Sequence, residues 1–168
     1  MLTALLLTIL YFLHKRLDFT LLTYRKLLEA LKERGYVFIT FEQYCQVPAE
    51  RLPKRFVILR HDVDLRAKNS LATAQIEHEL ELQASYYFRV VPESNQPEVI
   101  REIAALGHEI GYHYEDMAIM HGDTEKALAH FQEQLAYFRQ YYPVSTICMH
   151  GAPTSKYDGR ELWKHYDY

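Results

Sequence analysis

The sequence has little cysteine, no repeated or low-complexity segment and no hydrophobic run long enough to cross a membrane. Its two cysteines, Cys45 and Cys148, lie far apart among 168 residues and form no CxxC pair. Disulfide-stapled small domains and cysteine-based zinc sites use more cysteines at short spacings. The sequence therefore argues against both, and it is compatible with a reducing compartment.

The sequence also has no large excess of positive or negative charge. The chain has 19 Lys and Arg against 22 Asp and Glu, a formal net charge of −3. Domains that bind a nucleic-acid backbone are usually strongly basic, so we expect no nucleic-acid partner. Hydrophobic residues make up 49% and charged residues 24%, which is typical of a folded globular chain and not of a disordered one.

The longest apolar run covers residues 1–13. A membrane-spanning helix needs about 20 apolar residues, so this run is too short. Its positive charges, Lys15 and Arg16, follow the run, and no A-x-A cleavage site is present, so a cleaved secretory signal is not indicated. A buried helix, a membrane anchor or uncleaved signal and a start-site artefact all stay open. We treat residues 1–17 as a separate apolar segment and expect a cytoplasmic or membrane-associated protein, with residues 1–13 as the contact to a membrane.

The rest of the chain is rich in aromatic residues and alternates between strand-like and helix-like patterns, which indicates a single domain over residues 18–168. The predicted strands are residues 37–41, 56–60, 84–91, 109–113 and 144–149. The predicted helices and helical turns are residues 21–34, 41–47, 69–80, 97–106, 124–141 and a final one from 158. This alternation is typical of an α/β fold with a mainly parallel sheet. A full (β/α)8 barrel needs about 250 residues, so we expect an open sheet or part of a barrel.

Residues suited to metal binding follow three of the predicted strands. They are His61, Asp62 and Asp64 after the second strand, His113, Glu115 and Asp116 after the fourth, and His150 after the fifth. The carboxyl ends of parallel strands meet at one rim, so we expect these side chains to converge. Asp62 and Asp64 are two residues apart and share a face, where their charges repel unless a cation or a proton lies between them. In the alternative reading, one of the two caps the following helix.

Carboxylate and imidazole ligands around an open position suit zinc or a similar divalent metal. Such a metal lowers the pKa of a bound water to about 7 and polarises a carbonyl group. A second carboxylate beside it can act as a general base. The residues therefore predict a metal-assisted amide or ester hydrolase.

Three segments resemble the motifs of a known family. Residues 107–113, GHEIGYH, are similar to the G-H-E-I-G-N-H segment of the polysaccharide deacetylases, the NodB-homology carbohydrate esterases. Residues 59–64, LRHDVD, stand where that family has T-F-D-D-G, and residues 149–153, MHGAP, stand where it has R-P-P-Y-G. The order and spacing of the motifs agree over residues 56–153.

This resemblance implies part of an incomplete (β/α)7 NodB-like barrel. It implies that the protein removes an acetyl group from an N-acetylated sugar, or cleaves the C–N bond of a related small amide. It assigns Asp62 as the catalytic base and Asp64 and His113 as metal ligands, with Asp64 displaced by one position because Val63 occupies the expected place. The implied metal is zinc, with cobalt or nickel as alternatives.

The chain departs from the family at the second metal histidine. Met117 stands four residues after His113, where the family has a histidine. We expect His150, Glu115 or Asp116 to replace it, with His150 favoured either as the ligand or as a catalytic acid. The family's arginine in the third motif is also missing.

The family's later motifs normally lie beyond the third, about where this sequence ends at Tyr168. We therefore expect a domain that is truncated at its C-terminal part and has an exposed edge strand at residues 144–149. One alternative is a catalytically inactive, glycan-binding member of the same fold. Another is a small phosphatase-like domain that uses Asp62 and Asp64 with magnesium, although no glycine-rich phosphate loop is present.

Overall fold

The computed structural model describes residues 19–152, 154–164 and 166. The chain divides into two compact units, residues 1–35 and 36–168. The predicted apolar segment at residues 1–17 lies outside the described residues. Within the described part of the chain, no helix is both long enough and apolar enough to span a bilayer.

The first unit contains helix α1, Leu21–Glu33. The hydroxyl of Thr20 caps its N-terminus, as expected of a threonine before an amphipathic segment. Tyr24 and Leu28, one helical turn apart, are its buried residues. Gly35 follows the helix with φ of +76°, the left-handed conformation that commonly ends helices.

The second unit alternates strands and helices. Its strands are β1 Val37–Phe38, β2 Phe56–Val57, β3 Arg60–Val63, β4 Ser85–Phe88, β5 Glu109–Tyr114 and β6 Ile147–Met149. Its α-helices are α2 Phe41–Gln46, α3 Ala67–Glu79, α4 Pro97–Ala105, α5 Asp116–Ile119 and α6 Thr124–Phe138. Short 3-10 helices occupy Ala49–Arg51 and Gly159–Lys164.

All the strand pairings of the described chain are parallel. Strands β3, β4, β5 and β6 form one sheet in sequence order, and β1 pairs with β2 in a separate two-stranded sheet. The predicted α/β class with a parallel sheet is confirmed. Strands β3 and β6 lie at the two edges of the described four-stranded sheet.

The two faces of the four-stranded sheet carry different residues. The buried core includes Tyr86, Phe88, Ile110 and Tyr112 from β4 and β5, together with Ile100, Ile103, Phe131 and Phe138 from α4 and α6. Alternation along each strand directs the intervening residues to the opposite face. There the strand register brings Asp62 beside Tyr87, Tyr87 beside Gly111, and His113 beside Cys148. One face therefore packs against the apolar core, and the other carries Asp62 and His113.

The prediction of one continuous strand at residues 56–60 is wrong. Strand β2 ends at Val57 in the small sheet, and β3 begins at Arg60 in the large one. Residues 56–59 are half-buried and Arg60 is exposed. A continuous apolar run does not reveal where a chain leaves one sheet and enters another. As a result, Asp62 lies inside β3 and not after its end.

The last predicted strand, residues 144–149, is shortened to β6, Ile147–Met149. The amide of Val144 bonds to the carbonyl oxygen of Tyr142 at 2.7 Å, which keeps this part of the chain in a turn. The predicted helix from residue 158 is the 3-10 helix Gly159–Lys164.

Candidate metal site

The carboxyl ends of three parallel strands bring Asp64, His113 and His150 together. The Nε2 atoms of His113 and of His150 each lie 3.6 Å from Oδ1 of Asp64. The two imidazole rings are nearly perpendicular, at 88°, with 5.1 Å between their centroids. The three potential ligand atoms all lie within 4.8 Å of one another, so they form a group that could hold one metal ion.

The Oδ1 atom of Asp64 is buried and has no hydrogen-bond partner; it is the one such atom among the described side chains. The 3.6 Å distances to the two imidazoles are too long for hydrogen bonds. An unsatisfied buried polar atom is unfavourable, and here only Oδ1 is buried, because the Asp64 side chain as a whole is 47% exposed. A cation beside this oxygen would offset that cost, so the arrangement fits a divalent metal.

The environment of His113 leaves one nitrogen free to act as a ligand. Its Nδ1 lies 3.0 Å from the backbone oxygen of Cys148, which can only accept a hydrogen bond. Nδ1 therefore carries the proton, and the lone pair of Nε2 faces Asp64. Burial lowers the pKa of His113, although the bond to Cys148 and the charge of Asp62 oppose the shift.

The Nδ1 atom of His150 has two polar neighbours, one a hydrogen-bond acceptor and the other a donor. It lies 3.1 Å from Oε2 of Glu115 and 3.3 Å from the backbone nitrogen of Ala152. The carboxylate requires a proton on Nδ1, whereas the amide requires a lone pair there. Nδ1 accepts the hydrogen bond from the Ala152 amide, and the contact with Glu115 is an ion pair when the ring is protonated. Metal binding through Nε2, which faces Asp64, requires that Nε2 carry no proton.

Glu115 is held from its other side by Arg89, which directly follows β4. The Nη2 and Nε atoms of Arg89 lie 2.6 Å and 2.7 Å from Oε1 of Glu115. A carboxylate that orients a ligand histidine is a common supporting contact of metal sites. Sequence analysis missed Arg89; the available signal was a basic residue at the carboxyl end of a buried parallel strand.

Asp62 lies next to this group but farther from the imidazoles. Its Oδ2 is 4.0 Å from Nε2 of His113 and accepts a 2.9 Å hydrogen bond from Nη2 of Arg60. Asp62, His113 and Cys148 form a second potential ligand group that overlaps the first. Burial and the charge of Asp62 raise the pKa of the Cys148 thiol to about 11. Because a thiol must lose its proton to bind a metal, the group with two imidazoles is the better ligand set.

Asp116 takes no part in the ligand groups. It is fully buried, and the Tyr112 hydroxyl donates to both of its carboxylate oxygens at 3.0 Å. Nδ1 of His130 lies 2.5 Å from the same carboxylate. Asp116 therefore anchors α6 to β5, and His150 supplies the second imidazole of the group that contains Asp64 and His113.

Two further sequence expectations have structural outcomes. His61 faces the opposite side of the sheet, where its Nε2 lies 2.7 Å from Oε1 of Glu77, so it stands apart from the ligand group. The alternative in which Asp62 or Asp64 caps the next helix is wrong. Helix α3 has Arg66 at its N-cap position and no side-chain cap hydrogen bond.

No protein-family model, curated protein or solved structure matches this chain.

Proposed function

We propose that the protein is a metal-dependent hydrolase of the polysaccharide deacetylase type. It removes an acetyl group from an N-acetylated sugar or cleaves a related small amide. The observation that carries the proposal is the convergence of His113 Nε2 and His150 Nε2 on the buried, unpartnered Oδ1 of Asp64. The position of this group at the carboxyl ends of parallel strands, where α/β enzymes place their active sites, supports it. We further propose that the parallel sheet is part of an incomplete NodB-like barrel.

Asp64, His113 and His150 would hold the metal. One carboxylate and two imidazoles with an open position suit zinc, and cobalt or nickel accept the same ligands. A bound divalent cation would polarise the amide carbonyl and favour ionisation of a water molecule. In this arrangement, His150 serves as a ligand and not as a separate catalytic acid, because its Nε2 faces Asp64.

Asp62 is the general base in this proposal. Its carboxylate lies beside the ligand group, and the hydrogen bond from Arg60 orients it. Asp62 takes a proton from water as the water oxygen attacks the amide carbon. It returns that proton to the nitrogen as the C–N bond breaks. The products are a carboxylic acid, acetate for an acetyl substrate, and a free amine.

Elemental analysis of the purified protein tests the metal site directly. The wild type should hold about one zinc, cobalt or nickel ion per chain after metal loading, as a single site of this kind does. His113→Ala and Asp64→Ala should each lose it. His78→Ala is the matched control, because His78 lies exposed on α3 and should keep the wild-type content. Absence of metal uptake by the wild type, or stoichiometric binding in both ligand variants, would overturn the assignment.

Acetate release tests the reaction. The metal-loaded protein should release acetate from N-acetylated sugars or small acetyl amides, and a chelator should abolish the release. Asp62→Asn should keep the metal and lose about 10²- to 10⁴-fold in rate, the usual contribution of a general base. A protein that binds metal and glycan but releases no acetate would instead be an inactive glycan-binding member of the fold.

A further inference from the structure

A cleft of about 390 Å³ opens beside the candidate metal site. His150 and Glu115 line this cleft and also border the ligand group, so a molecule in the cleft contacts the same imidazole that faces Asp64. We propose that the cleft binds an anionic group of the substrate, a carboxylate or a phosphate. This inference rests on the proposed function and deepens it: the substrate class becomes acidic, N-acetylated sugar derivatives.

Positive charge outweighs negative charge in the walls of the cleft. Arg89 and Glu115 neutralise each other through their ion pair. Lys156 lies over the ring of Tyr157, 5.2 Å from its centroid, and no carboxylate of the described residues lies within ion-pair distance of it. His121 adds a further side chain that is cationic when protonated. The balance therefore leaves a net positive charge for a ligand to neutralise.

Hydroxyl groups complete the lining. Thr154, Ser155 and Tyr157 place three hydroxyl-bearing side chains along the same cleft. Hydroxyl and ammonium donors together are the groups that recognise the oxygens of carboxylates and phosphates. An uncharged sugar would leave the ammonium group of Lys156 without a charged partner.

The wall that carries Lys156 is held in place by a close backbone contact. Gly122 has φ of +84°, and a Cβ built on it would lie 2.5 Å from Cδ1 and Cε1 of Tyr157. The Tyr157 ring therefore packs directly on the turn after α5. The Tyr157 amide also donates to Oγ of Ser155 at 3.1 Å. A wall held in this way reduces the ordering cost of binding a ligand.

Calorimetric titration tests the cleft without any turnover. The probes are N-acetylglucosamine, its 6-phosphate, its uronic acid and inorganic phosphate. The anionic sugars should bind the wild type about tenfold more tightly than the neutral sugar, as expected for a charge-assisted hydrogen bond, and added salt should weaken this preference. Lys156→Gln should abolish the preference and Lys156→Arg should retain most of it. Lys126→Gln, which removes an exposed lysine paired with Asp123, should leave it unchanged.

The uronic acid carries a carboxylate and the 6-phosphate carries a phosphate, and a tenfold preference for either one supports anion binding in the cleft. Equal affinity for neutral and anionic sugars would overturn that proposal, as would an equal loss of the preference in Lys156→Gln and Lys126→Gln.

The two proposals can fail separately. Lys156-dependent binding without acetate release would support anion binding in the cleft and contradict the hydrolase activity. Acetate release with equal kcat/KM for neutral and anionic sugars would support the hydrolase activity and contradict anion binding in the cleft.

Discussion

The phenol ring of Tyr87 lies against the backbone of Gly111 in the neighbouring strand. A Cβ at Gly111 would lie 2.3 Å from Cε1 of Tyr87 and 3.0 Å from the backbone oxygen of Thr146. The Tyr87 hydroxyl bonds to Oγ1 of Thr146 at 2.7 Å. The missing side chain at Gly111 therefore lets the ring cross β5 and tie β4 to the segment that leads into β6 and His150.

Gly111→Ala should destabilise the protein by about 1–3 kcal/mol, because the added methyl group forces the Tyr87 ring or the Thr146 backbone to move. Urea denaturation measures this change. Gly151→Ala is the matched control, since nothing lies within 4 Å of a Cβ at that position. It should change stability by less than about 0.5 kcal/mol. Equal effects of the two substitutions would show that the close contact has no energetic role.

Part of the site could be predicted from the sequence because the carboxyl ends of parallel strands meet at one edge of the sheet. Asp64, His113 and His150 lie at or just after strand-like segments, so strand recognition alone is enough to expect that they meet. The exact strand ends were not needed. Asp62 lies inside β3 and still reaches the group, because residues 62 and 64 share a face.

The sequence favoured His150 but left Glu115 and Asp116 open, because the shared rim alone does not fix the choice among the three. It depends on α5, which begins at Asp116, two residues after β5 ends at Tyr114. That turn buries Asp116 in the core and leaves Glu115 beside Nδ1 of His150, on the ring nitrogen that does not face Asp64. Four-residue helices carry almost no periodic signal, so the sequence pattern did not reveal it.

The bond between His113 and Cys148 predicts a specific tautomer. In the metal-free protein, His113 should be neutral at pH 7 with its proton on Nδ1, because the carbonyl oxygen of Cys148 requires a donor. Long-range ¹H–¹⁵N correlation spectra distinguish the two ring nitrogens. Burial lowers the pKa of His113, so its titration midpoint should lie below the ordinary value of about 6.5. A proton on Nε2 at pH 7 would contradict the ligand geometry.

Arg60 should affect the rate and not the metal. Its hydrogen bond to Asp62 is partly exposed, and such ion pairs are worth about 0.2–1 kcal/mol. Arg60→Gln should therefore lower kcat about 1.4- to fivefold while the metal content stays at the wild-type level. Arg60→Lys keeps the charge but loses the planar guanidinium group, so its kcat should lie between those of the wild type and Arg60→Gln. Loss of metal in Arg60→Gln would show that Arg60 supports the ligand group itself.

The protein should become less stable as the pH is lowered, in part because His108 is buried as a neutral ring. Its Nε2 donates to the carbonyl oxygen of Ala74 at 3.0 Å, and its Nδ1 accepts from the amide of Ala84 at 3.2 Å. Burial lowers the pKa of His108 despite the opposing charge of Glu77. The unfolded chain, with a histidine pKa of about 6.5, binds the proton first, so this contribution is complete above that pH and is lost as the pH falls toward the folded pKa. Urea denaturation at about pH 7 and about pH 5 should show a smaller difference in His108→Gln than in the wild type. An unchanged difference in His108→Gln would contradict this origin.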